Sequence, residues 1–125
     1  MKEDLQELLR VARRKLQRAS GIPLTADERL EERRLAQIEE MDLFIYSTFG
    51  VRLYWAVNMK TVYRGTSAVA EMTVDGSIFQ LRKDGTDFVF FALKDGGDLE
   101  LTRIDAYDPD LADRVLVAIA DALLT

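Results

Sequence analysis

The stretch SAVAEMTVDGSIFQLRKDGTDFVFFALKDGGDLELTRI, residues 67–104, decides the fold. It is punctuated by Asp75-Gly76, Asp84-Gly85 and Asp95-Gly96-Gly97. Asp-Gly pairs tolerate the positive φ that tight hairpin turns demand, and β-branched and aromatic residues fill the segments between them. With Val51, Leu53, Trp55 and Val57 alternating against Arg52, Tyr54, Ala56 and Asn58, the expected strands are roughly 51–58, 67–74, 77–83, 86–94 and 98–104. Their short connections make neighbours antiparallel, which gives a meander. Phe88-Val89-Phe90-Phe91-Ala92-Leu93 is apolar on both faces, as expected of a strand covered on two sides or of one whose second face lies in an interface. Phe88, Phe90 and Phe91 are therefore dimer-interface candidates.

Upstream of the strands the period changes. Leu5, Leu8, Leu9, Ala12, Leu16 and Ala19 recur at spacings of three and four, predicting a helix over about 2–19 with one apolar face. Ser20-Gly21 and Pro23 mark its end, with Ile22 able to fold back on the last turn. Thr25-Ala26-Asp27-Glu28 reads as a capping box, and a second helix with Leu30, Leu35, Ile38, Met41, Phe44, Ile45 and Phe49 on one half of its cylinder runs to Gly50. Downstream, Asp108-Pro109-Asp110 provides an N-cap and a first-turn proline for a third helix over about 109–124, apolar on most sides. The expected architecture is a single α+β domain: an N-terminal αα-hairpin over 1–49, a five-stranded antiparallel meander sheet over 51–104, and a C-terminal helix over 108–124 packed on the sheet.

The chain has 125 residues, ample for one core, and contains neither cysteine nor histidine. Thiolate nucleophiles, disulfides, Cys-based metal sites and the commonest general base are thereby excluded. The serines sit in no nucleophile elbow, and the Asp-Gly clusters are accounted for as turns rather than as a calcium loop. No catalytic residue, metal site or cofactor is assigned. The N-terminus carries acids where a signal peptide needs a basic and then an apolar stretch, and no apolar run is long enough to span a membrane, so a cytoplasmic protein is expected.

The net charge of −5 is unevenly spread. Arg10, Arg14 and Arg18 line one ridge of the first helix, opposite the glutamates of the second if the two pair. Residues 47–70 carry Arg52, Lys60 and Arg64 with no acid, interleaved with Tyr54, Trp55 and Tyr63. Those nine residues are the partner-binding candidates. The leading expectation is an acidic interaction protein, adaptor-, chaperone- or inhibitor-like, that self-associates as a dimer and binds a protein partner. One alternative is nucleic-acid binding through the basic helix and the basic-aromatic segment. Another is a small-molecule carrier or enzyme with an apolar cavity between sheet and C-terminal helix.

Overall fold

The capping box forms as written. The Thr25 backbone N–H donates to the Glu28 carboxylate at 3.1 Å, and the Glu28 N–H donates to the Thr25 hydroxyl at 3.2 Å. The structure, a computed structural model, describes residues 2–19, 21 and 23–124, and of residues 2, 3, 18 and 19 the backbone alone. Ser20 and Ile22, expected to close the first helix, lie outside the described residues; Gly21 between them has the left-handed φ of 74° that a helix stop requires.

Helix α1 is Lys2–Ala19 and α2 is Ala26–Ala56. The sheet follows as β1 (Lys60–Arg64), β2 (Ser67–Val74), β3 (Ser77–Asp84), β4 (Asp87–Lys94) and β5 (Gly97–Asp105), and α3 is Leu111–Leu124. All neighbours are antiparallel in the order β1-β2-β3-β4-β5, the meander expected from the turns. Asp75 and Gly76 both have positive φ, which matches the right-handed twist of the strands they join. The chain divides into two compact units, residues 1–37 and 38–125, the boundary falling within α2.

In the first unit, α1 meets the start of α2 through ions. Arg14 bonds both Glu28 and Glu31, the latter at 2.7 Å, and Arg10 reaches Glu31 at 3.3 Å.

In the second unit, one sheet face is filled. Met72, Phe79, Leu81, Phe88, Phe90 and Ile104 meet Met41, Ile45 and Phe49 of α2 and Leu111, Val115 and Ile119 of α3 in one buried cluster. Both helices present these residues at spacings of four, so each offers a single apolar stripe. Phe44 stacks on Phe88 at 4.9 Å and Phe79 on Phe90 at 5.6 Å. The Thr61 hydroxyl donates to Asp42, tying β1 to α2.

The expected strand 51–58 is corrected. Gly50, at φ 80° and ψ 157°, breaks the helix where its end was expected, but a further helical segment, 51–56, follows it in place of the strand. Asn58 then takes a left-handed φ of 47°; its N–H donates to Trp55 O, and the Met59 N–H donates to Tyr54 O. That pair of bonds is a Schellman cap. Leu53, Tyr54 and Val57 turn inward, a spacing of three and four that coexists with the alternation read as a strand. The first strand starts instead at Lys60 and has only five residues. Helix α3 departs from expectation more mildly: it buries one stripe, Leu111, Val115 and Ile119, and leaves Leu116 and Leu123 of its apolar side exposed.

Candidate protein-docking surfaces

Among the described residues β5 is an edge strand, paired with β4 alone, and α3 packs beside it. A β-bulge shapes the join. Phe90 faces Thr102 and Phe91 faces Glu100, so Leu101 is an extra residue in β5. Strict alternation would send consecutive side chains to opposite faces, yet Leu101 and Thr102 both line the space beside α3. The result is a groove of about 730 Å³ with Leu101, Ala118 and Ala122 on its more buried side and Val117 exposed between Asp113 and Asp121 along α3. Asp110, Asp113 and Asp121 edge it, and Arg114 lies at one end.

The cap of α3 fixes that end. Asp108 accepts the Asp110 N–H at 2.8 Å through Oδ1 and Arg114 Nε at 2.7 Å through Oδ2. The backbone bond from Asp110, with the Arg114 charge behind it, holds the Asp108 carboxyl below its ordinary pKa. Arg114 is thus committed to Asp108, and the groove keeps an acidic rim.

The sheet face away from the helices is a polar lattice. Gln80, almost fully buried, donates to Glu71 at 2.9 Å and accepts from Arg64 at 3.1 Å and from Arg82 at 2.9 Å. Asp98 closes the lattice by accepting from Arg64 at 2.9 Å and Arg82 at 2.6 Å. Arg82's bond, joined by the charge of Arg64, lowers the Asp98 pKa. The Arg82 guanidinium also lies 4.1 Å over the Phe91 ring. Nearby, Arg103 bonds Asp84 at 2.9 Å and Asp87 at 3.4 Å, two acids directly opposite each other in the register. Val69 and Val89 on this same face are buried.

The candidates named from the sequence scatter over these features. Arg10 and Arg14 belong to the first unit and face glutamates, whose bonds raise the Arg14 pKa and lower that of Glu31. Arg18's side chain lies outside the described residues. Lys60 pairs with Glu71 at 3.3 Å and Arg64 enters the lattice. Tyr63 is half-buried against the core. Tyr54 and Trp55 do come together, at 5.6 Å edge to face, and Tyr46 meets Tyr54 at 5.4 Å; Trp55 is 70% exposed and Arg52 is exposed.

Phe88 and Phe90 lie in the chain's own core, and Phe91 lies under Arg82. The two-faced apolar run is therefore accounted for within the chain: Phe88, Phe90 and Ala92 face the helices, while Val89 and Phe91 underlie the lattice. Of the two alternatives expected for the run, cover on both sides is the one seen in the described sheet.

Sequence reading missed Leu101, Val117, Gln80, Arg82 and Asp98. Gln80 and Arg82 do alternate along β3, but only the folded sheet brings them together with Arg64, Glu71 and Asp98 of other strands. Among the described residues no three acids converge on a metal-sized site, and no helix is long and apolar enough to cross a membrane. Comparison with protein-family models, curated proteins and solved structures finds no match.

Proposed function

We propose that this protein is a self-associating cytoplasmic interaction module that docks a segment of another protein in the groove between β5 and α3. The observation that carries the reading is the groove itself, apolar on its more buried side and acidic at its rim, beside the edge strand β5. An extended segment can pair its backbone with an open edge while alternate side chains enter an adjoining groove. Small apolar residues fit the buried side, and Lys or Arg fits the rim of Asp110 and Asp113.

Nucleic-acid binding has less support, because Arg10, Arg14, Lys60 and Arg64 are already engaged by carboxylates. A small-molecule role has the groove's volume in its favour, within the usual range of about 300–1,000 Å³. The acidic rim and the adjoining strand edge suit a peptide better.

The test is selection from a random-peptide display library on the wild-type protein, followed by titration of the enriched peptides against Val117→Arg. Enrichment of basic, small-apolar sequences that lose at least about tenfold in affinity on Val117→Arg supports the reading. Peptides that bind both proteins equally overturn it.

A further inference from the structure

We infer that α1 is the self-association surface, and that two copies pair their α1 helices antiparallel about a two-fold axis between positions 10 and 11. This rests on the self-association part of the reading above and is independent of the groove. Helix α1 turns its charged ridge inward: Arg14, with a side chain only 14% exposed, faces Glu28 and Glu31. Its leucines face away, with Leu5 58%, Leu8 67%, Leu9 52% and Leu16 71% exposed. Such a stripe, on the order of a few hundred Å², is as large as the largest apolar patch on a typical monomer.

The spacing selects a helical occupant, and the charges select a second copy. Leu5, Leu9, Ala12 and Leu16 are separated by four, three and four residues, the repeat of a coiled-coil seam. Antiparallel pairing about the stated axis sets Leu5 against the partner's Leu16 and Leu9 against the partner's Ala12, so that large meets small at the centre. Apart from the ridge that Arg10 and Arg14 turn to the glutamates, the exposed flank beside the leucines carries Asp4 in the first half of the helix and Lys15 in the second. An antiparallel pair lays acid against base, with Asp4 on the same flank as the partner's Lys15 and within about 3 Å along the axis. A parallel pair would set Arg13 on the same flank as the partner's Lys15, within about 3 Å along the axis. The helix dipoles also favour the antiparallel arrangement. A single helix pair is small beside the roughly 1,200–2,000 Å² of a tight complex, so a dissociation constant on the order of micromolar is expected.

The chain contains no cysteine, so introduced thiols report only the contact under test. Leu5→Cys and Leu16→Cys proteins are oxidised mildly, alone and mixed, and the wild type and Leu9→Lys are compared by light scattering up to roughly 100 μM, far above a micromolar constant. Antiparallel pairing places position 5 about 17 Å along the axis from its own copy and against position 16 of the other. Disulfide in the mixture alone, with a wild-type dimer that Leu9→Lys dissociates while helicity is kept, is the expected result. Leu5→Cys joining to itself overturns the antiparallel geometry. A dimer that neither cross-links nor responds to Leu9→Lys overturns α1 as the surface and leaves self-association standing. A monomer throughout overturns both and leaves the groove untouched.

Discussion

The apolar run of β4 and the leucine stripe of α1 are alike in hydrophobic content and opposite in fate. Phe88, Phe90 and Ala92 are buried by α2 and α3, while on the other face Phe91 lies under the Arg82 guanidinium and Val89 is buried between Arg82 and Arg103 in the register. Long charged side chains can roof an apolar surface when their heads are fixed by partners. The α1 leucines have no such roof, because the helix spends its arginines on the opposite face, against Glu28 and Glu31. Exposure therefore follows from where the charges are committed, and an apolar residue count alone does not set it.

That contrast can be broken most severely at the core. Phe90→Ala should cost about 3–5 kcal/mol in urea unfolding, the range for an aromatic removed from a packed interior, whereas Leu9→Ala should change monomer stability by less than about 0.5 kcal/mol. Next is the helix break. Gly50 occupies backbone space that residues with a Cβ rarely enter, so Gly50→Ala should cost about 1–3 kcal/mol in the same assay, although open space surrounds the position.

Removing the roof is a smaller perturbation. Arg82→Ala should lower stability by about 1 kcal/mol and raise binding of an apolar fluorescent dye, as Phe91 and Val89 come into contact with water. An unchanged dye signal would mean the lattice is ornamental.

The smallest effect is with pH. Asp98 is held below its ordinary pKa by Arg82 and Arg64, and Glu31 by Arg14 and Arg10. Glu28 is lowered first by its bond from the Thr25 amide. Each folded-state pKa lies below the unfolded one, so the stabilisation is complete above the usual carboxylate range and is lost as pH falls through the lowered values. Melting temperatures should be flat from about pH 6 to 8 and decline below about pH 4. Asp98→Asn should shrink that decline without abolishing it, since the helix pair keeps its own glutamates.

Much of the fold was legible because local chemistry encodes it. Thr25 with Glu28, Asp108 before Pro109, and the Asp-Gly turns place their elements within about two residues of those observed. Residues 51–58 were misread because Leu53, Tyr54 and Val57 satisfy the helical spacing while their neighbours satisfy the strand period, and the Asn58 cap decides between them. The candidate sites were less legible. The groove depends on a bulge that makes Leu101 and Thr102 point the same way, and the lattice depends on Arg64, Gln80, Arg82 and Asp98 being brought together across separate strands. Neither follows from any window of sequence.

The central claim is that α1, and not β4, is where copies of this chain meet. Sedimentation velocity over a concentration series on the wild type, Leu9→Lys and Phe91→Gln tests it most directly. The account predicts a wild-type dimer that persists in Phe91→Gln and dissociates in Leu9→Lys. A dimer lost in Phe91→Gln and retained in Leu9→Lys would contradict it.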